Sequence, residues 1–222
     1  MPTKKFQLTN ATTGKASEME ALTPTMGPDV LNIASLHKEH GLFTFDPGFM
    51  STASTESKIT YIDGDKGILL YRGYPIEQLA EKSSFLEVAY LLIYGELPTA
   101  AQLQEFQKSI TRHSMINESL LRFYNGFQYD AHPMAQISAV VASMAAFYHD
   151  SLDIYSPRHR EIFAHRIIAK IPTISAAAYK HSLGQPFIYP RNDLDYAANL
   201  LYMMFGTPCE NYEPNPVIAR AM

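Results

Sequence analysis

Residues 67–99 read GILLYRGYPIEQLAEKSSFLEVAYLLIYGELPT, and the chain changes character inside them. Ile68-Leu69-Leu70-Tyr71 is a short apolar run between a turn and an Arg72-Gly73 stop, which is the pattern of a strand. Pro75 then suits a helix start, where its fixed φ fits and its missing N–H is not needed. A short helix over Ile76–Lys82 comes next. Ser84 is a good N-cap, and Glu87 three residues on completes a capping box. Phe85, Val88, Ala89, Leu92 and Ile93 recur at helical spacing. Gly95 ends that helix, and Pro98 prevents its resumption. The chain before this stretch reads as turns and short strands. The chain after it reads as helices.

Upstream, residues 1–30 are polar, with Thr12-Thr13-Gly14 and Met26-Gly27-Pro28 as turn signals. Phe6-Gln7-Leu8 suits a short strand, and residues 29–36 suit one or two helical turns. Leu42-Phe43-Thr44-Phe45 reads as a strand ending at Asp46-Pro47-Gly48, where Pro presets φ and Gly tolerates positive φ. Residues 57–62 and 68–71 flank Asp63-Gly64-Asp65-Lys66-Gly67 and read as a hairpin.

Downstream, Thr99 with Gln102 makes a second capping box, for a helix running to about Arg112. Residues 117–127 carry Leu120, Leu121 and Tyr124 on one face. Residues 133–148 are apolar nearly all round, and such a helix is expected to be buried on most sides. Ser156-Pro157 opens a helix to about Ile171, and Pro172 opens a further one that Gly184 stops. Asn192 is the expected cap of a helix over residues 193–205. Asn215-Pro216 starts one more helix, with Val217, Ile218 and Ala221 on its apolar face. Met222 comes after less than two turns, too short for a helix to stand alone, so the expectation is a chain interrupted inside an element. The expected organisation is therefore a β-rich amino-terminal segment with a hairpin over residues 1–75, then a helical part over residues 76–222, interrupted at its C-terminus.

The 222 residues suit one large domain or two small ones. A hydrophobic content of 46% with 18% charge gives a sizeable core on the pattern of a soluble enzyme. The net charge of −4 leaves no footprint for nucleic acid. The apolar runs are far short of a membrane span, so no membrane partner is expected. A single cysteine, Cys209, excludes an internal disulfide framework and suits a reducing cytoplasm.

Few constellations carry chemistry. The eight histidines show no HExxH or paired metal spacing, and no CxxC occurs. His149 and Asp153 stand four apart, but two ligands without a third rarely hold a metal, so they read as a polar helix end with Asp150. No GxSxG, GxGxxG or Walker loop is present. No catalytic centre and no metal site are expected. Arg158, His159, Arg160, His165, Arg166 and Lys170 make one basic helix, with Arg166 and Lys170 four apart on one face. That pair suits either a solvated face or an anion site in which two cations converge on phosphate. Spacing does not choose between the two.

A family resemblance runs through these stretches. Residues 67–99, FTFDPGFMSTASTESKITYIDGD at residues 43–65, HPMAQISAVVASMAAFYHD at 132–150, PRHREIFAHRIIAKIPT at 157–173 and SLGQPFIYPRNDLDYAANLLYMMFGTPCENYEPNP at 182–216 closely resemble the amino-terminal half of citrate synthase. The resemblance covers all but about the first 25 residues. It is strongest to the long bacterial type that assembles as a hexamer and is inhibited by NADH. The fold it implies is mainly α: part of the large helical domain, with a small β-rich amino-terminal segment. The activity it implies is acyl transfer in the tricarboxylic acid cycle, condensing acetyl-CoA with oxaloacetate to citrate. No cofactor is implied. The partners implied are these small-molecule substrates and further copies of the chain, as a dimer or hexamer.

In the family an aspartate removes the acetyl proton, one histidine stabilises the enol, and a second polarises the oxaloacetate carbonyl. None of the three has a counterpart in this sequence, so the chain alone is expected to be inactive. Two alternatives stand beside this reading: a non-catalytic truncated chain acting through oligomer contacts, and the sister enzyme methylcitrate synthase. The resemblance also implies an allosteric NADH pocket at Arg112, His113, Ser114, Met115, Tyr148, Arg166, Lys170 and Cys209. Ser114 stands where family members often carry Thr, and it keeps the hydroxyl. The matching cysteine in NADH-inhibited members is a reactive thiol near the inhibitor.

Overall fold

The computed structural model describes residues 4–222. Two compact units divide the chain, Met1–Lys82 and Ser83–Met222.

The first unit carries two three-stranded antiparallel sheets. Strands β1 (Lys5–Thr9), β2 (Ala16–Leu22) and β3 (Val30–Leu31) form one in that order. Along β2 every second residue is buried, at Ser17, Met19 and Ala21, and the residues between are exposed. A period of two thus gives the sheet one wet face. Strands β4 (Thr60–Asp63), β5 (Ile68–Tyr71) and β6 (Tyr74–Pro75) form the other. The expected hairpin is there, with Tyr61 opposite Leu70 and Ile62 opposite Leu69. Its turn is held by the Asp63 carboxylate, which accepts from the Lys66 N–H at 3.0 Å.

Helices α1 (Leu36–His40) and α2 (Ile76–Lys82) complete the unit. Helix α2 falls where the sequence placed it. The helical turns expected at residues 29–36 are instead β3 followed by a helix beginning at Leu36. Residues 42–45 form no strand, because no neighbouring strand among the described residues pairs with them. Phe43 and Phe45 are left 81% and 92% exposed. The turn after them is ordered: Asp46 accepts from the N–H groups of Met50 and Ser51 and from the Thr52 hydroxyl at 2.7–3.1 Å.

The second unit is helical. Helices α3 (Phe85–Tyr94) and α4 (Ala100–Arg112) open on the two capping boxes that the sequence shows, at Ser84/Glu87 and Thr99/Gln102. They are followed by α5 (Glu118–Phe123), α6 (Pro133–Ser143), α7 (Pro157–Ser182), α8 (Tyr196–Phe205) and α9 (Pro216–Ala221). Helix α7 is the axis of both cores. Leu120, Leu121 and Tyr124 of the α5 region meet Val140, Met144 and Ile174, Ala177 and Ala178. Leu86, Phe106 and Ile110 meet Ala169. Ala176, Ala177 and Ala178 are all buried along α7.

Three expectations fail, each for a local or tertiary reason. Helix α7 is one 26-residue helix, not two separated at Pro172. A proline inside a helix leaves the carbonyl four residues back without its N–H partner. That carbonyl belongs to Ile168, and the Tyr196 hydroxyl of α8 donates to it at 2.8 Å. A tertiary bond thus replaces the one the proline removes. Helix α8 starts at Tyr196 with Asp195 as N-cap, accepting from the Ala198 N–H at 2.7 Å. Asn192 is not the cap, and Asp193 is turned aside into an ion pair with Arg191. Helix α6 ends at Ser143, not near Tyr148, and passes into a 3₁₀ turn at Met144–Ala146. The Ser143 hydroxyl bonds back to the Val140 carbonyl at 2.7 Å, a local bond that competes with helix continuation. Of α6 itself only Gln136 and Val140 are buried, and Met134 is 58% exposed. Its apolar surface is therefore far less covered than its composition suggests.

Candidate cation cluster on helix α7

The basic face of α7 meets two other pieces of chain: residues 113–116, which leave the end of α4, and residues 147–151, which include the 3₁₀ turn His149–Ser151. Helical spacing puts Arg166 and Lys170 one turn apart on α7. Everything else in the cluster arrives through tertiary folding.

Lys170 is buried, and its ammonium donates to the carbonyl oxygens of His113, at 2.8 Å, and Met115. Three residues on, Thr173 donates its hydroxyl to the Ser114 carbonyl at 2.7 Å. The segment after α4 is thus laid onto α7 by its own backbone. Ser114 is buried, and its hydroxyl donates to the Thr111 carbonyl at 2.9 Å. The His113 ring is exposed and its Nδ1–H donates to the Ser109 carbonyl at 2.7 Å. Burial, aided by the nearby Arg166 charge, pulls the Lys170 amine down to about 8.

Arg166 stacks over the Tyr148 ring, with Cζ 4.3 Å from the centroid, and the Lys170 ammonium stands 5.3 Å from the same centroid. Both are cation–π distances. The Asp150 carboxylate accepts two parallel bonds from Arg166 at 2.9 and 3.0 Å, and Ser151 Oγ accepts a third at 2.5 Å. The guanidinium holds the Asp150 carboxyl below the usual carboxylate range. Burial raises the Tyr148 phenol.

Of the eight residues the resemblance pointed to, six therefore stand together: His113, Ser114, Met115, Tyr148, Arg166 and Lys170. No side-chain hydrogen bond or ring contact joins Arg112 or Cys209 to them among the described residues. Arg112 is exposed at the end of α4, and Cys209 is exposed in the turn bridged by Thr207 and Glu210. Sequence reasoning missed Asp150, Ser151 and Thr173 as members. Asp150 carried a signal as an acid beside a basic helix, but nothing in its spacing names Arg166 as its partner. A cavity of about 20 Å³ lies behind Ser114, lined also by Thr111, Pro172, Tyr196 and Asn199. That is room for a single water.

Elsewhere, among the described residues no three His, Cys, Asp or Glu side chains stand close enough to hold a metal ion. Asp153, four residues from His149 in sequence, accepts from the Tyr155 N–H at 2.9 Å instead of joining it. No helix among the described residues is long and apolar enough to cross a membrane.

Comparison with known proteins gives a consistent result. Residues 48–222 match the family model described as "Citrate synthase, C-terminal domain". Among solved structures, the chain is similar to the citrate synthase of Pyrobaculum aerophilum, with a TM-score of 0.68 and 33% identity over 90% of this chain and 46% of that one. It is similar to the citrate synthase of Thermotoga maritima MSB8, with a TM-score of 0.65 and 32% identity over 79% and 44%. A third similar structure is the Thermoplasma acidophilum citrate synthase, solved as a ternary complex with carboxymethyl coenzyme A and oxaloacetate. Its TM-score is 0.66, with 27% identity over 72% and 42%. The chain spans less than half the length of each of these structures.

Proposed function

This chain belongs to the citrate synthase family, and we propose that it forms part of an enzyme condensing acetyl-CoA with oxaloacetate and water to give citrate and CoA. The observation that carries this reading is the family match over residues 48–222, joined to structural likeness at 33% identity. The substrates serve as the only small molecules the reaction needs, without a separate cofactor. The lone cysteine suits a cytoplasmic setting.

We assign the chemistry to chain beyond these residues, since the aspartate and two histidines of the family mechanism have no counterpart in the stretches that carry the resemblance. The test is release of CoA thiol from acetyl-CoA and oxaloacetate by the 222-residue chain. No turnover above the uncatalysed rate is expected, and steady turnover would overturn the assignment. Association with further copies, as a dimer or hexamer, is favoured by the apolar surface of α6 and by Phe147, 36% exposed. Sedimentation is expected to show oligomers, and a monodisperse monomer would refute this.

The cation cluster we read as an allosteric dinucleotide site of the NADH-inhibited type. Its support is that two cations meet one aromatic ring there, and that the backbone carbonyls of His113 and Met115 bring the segment carrying those two exposed residues onto Lys170. Arg166 supplies a planar donor fork for phosphate, and Tyr148 and Met115 supply surface for a base. Binding far from the chemistry would act by favouring a less active state. Arg166→Leu and Lys170→Ala are each expected to weaken NADH binding by about 1–3 kcal/mol. Unchanged affinity in both would leave the pair as structural cations, Arg166 serving Asp150 and Lys170 the carbonyls of His113 and Met115.

A further inference from the structure

Arg166 is deeply set: its side chain is 13% exposed, one face lies on Tyr148, and its N–H edge grips Asp150. The two bonds at 2.9 and 3.0 Å form a fork-to-fork pair, the geometry in which a guanidinium also receives two oxygens of a phosphate. The position that a phosphate would take on Arg166 is therefore already held by an oxyanion of the chain itself.

Asp150 is unlike the residues around it. Its side chain is 64% exposed, and it sits on the short 3₁₀ turn His149–Ser151, not on α7. Withdrawn from Arg166, the carboxylate would pass into water at little cost, because an exposed carboxylate is already largely hydrated. Arg166, by contrast, is held from below by its ring contact and by its place on α7. The less anchored partner is the acid. Lys170 adds to the pull on an anion: two of its three N–H bonds go to backbone carbonyls, and its charge stands over the same Tyr148 ring.

Resting on the dinucleotide reading of this cluster, we propose that Asp150 is a built-in stand-in for the ligand's phosphate, which holds Arg166 in place and is displaced when a diphosphate group binds. Binding then exchanges one anion for another instead of adding a charge pair. Asp150 sets the affinity of the site by competing for it. Displacement of Asp150 releases two of the side-chain bonds that tie the turn His149–Ser151 to α7, so occupancy is felt in the stretch between α6 and α7.

The test uses the protein at its native length, with inorganic pyrophosphate and NADH as separate probes, followed by calorimetry and thermal melting. Asp150→Asn removes the charge and keeps the shape, and Asp150→Ala removes both. Both variants are expected to melt lower than wild type without a probe. Both should bind pyrophosphate roughly fivefold tighter, and gain more in melting temperature from it. The gain should vanish when Arg166→Leu is added. Pyrophosphate affinity that is unchanged or weaker in both variants, a gain that survives Arg166→Leu, or no binding in any protein would each overturn the proposal. The two readings separate cleanly. If pyrophosphate behaves as expected and NADH binds none of the proteins, the role of Asp150 stands and the dinucleotide reading falls. If NADH binds wild type and both variants equally, the dinucleotide reading stands and the role of Asp150 falls.

Discussion

Lys170 and Lys180 lie on the same helix, one on each side of Pro172, and both are buried, at 5% and 1% exposure. Both amines donate to oxygen acceptors, and burial lowers both from the ordinary lysine value. Their surroundings differ. Lys170 shares its space with Arg166, the Tyr148 ring and the exposed Asp150 carboxylate that Arg166 grips. Lys180 donates to the Gln185 side chain at 2.8 Å and the Gly206 carbonyl at 2.7 Å. Gly206 closes α8, and a Cβ there would come within 2.6 Å of the Tyr202 carbonyl. Lys180 is thus a staple between the ends of α7 and α8, made of neutral acceptors. A buried lysine does not by itself mark a site. What sets Lys170 apart is the second cation beside it and the exposed acid paired with that cation.

The largest effect is expected at the staple. Lys180→Ala empties a buried volume and orphans the Gly206 carbonyl, and should cost about 3 kcal/mol in urea unfolding. Lys180→Met refills the stem and should recover part of that. A loss under about 0.5 kcal/mol for Lys180→Ala would erase the contrast between the two lysines.

A smaller effect, with a definite sign, is expected at Lys170. Its folded value is about 8 against 10.5 for a free lysine. Between those values the unfolded chain keeps a proton that the folded chain has released, so stability rises with pH across that window. Below about pH 8 both states are protonated and the contribution is flat. Wild type should gain on Lys170→Met by about 1 kcal/mol or more between pH 8 and pH 10.5 in paired urea titrations. Parallel curves would show that the amine titrates as an exposed one. Anion binding should weaken over the same rise, because the charge it uses is being lost.

The smallest effect concerns the proline that separates the two lysines. Tyr196→Phe strands the Ile168 carbonyl and should cost about 1 kcal/mol. Pro172→Ala restores an N–H in the helix, so Tyr196→Phe should cost less in that background. A double-mutant cycle reads the difference. Strict additivity would mean that the hydroxyl is not answering the proline.

Much of the fold was legible where partners lie within four residues. The Ser84/Glu87 and Thr99/Gln102 boxes, the turn of the β4–β5 hairpin and helix α2 all come from such spacing. The misreadings are of another kind. Asp195, not Asn192, caps α8, and upstream of it the buried Asn199 side chain holds the Arg191 backbone, a contact from inside the helix that no spacing before it announces. The strand expected at residues 42–45 lacked a partner to pair with among the described residues. The candidate site was half legible: Arg166 and Lys170 announced a cationic face through their spacing, while the carbonyls of His113 and Met115 and the carboxylate of Asp150 did not.

The sequence by itself determined the caps at Ser84, Thr99, Ser156 and Asn215, the hairpin turn, the helical character after residue 83 and the family. Tertiary structure alone decided that α7 runs unbroken through Pro172, that Lys180 is a staple, and that Asp150 sits on Arg166. The reason is physical. A cap or a helical face is written at fixed offsets by backbone geometry, whereas the cost of closing a longer loop varies only slowly with its length. No spacing therefore singles out Tyr196 for Ile168 or Asp150 for Arg166, and only the packed chain brings each pair within hydrogen-bond reach.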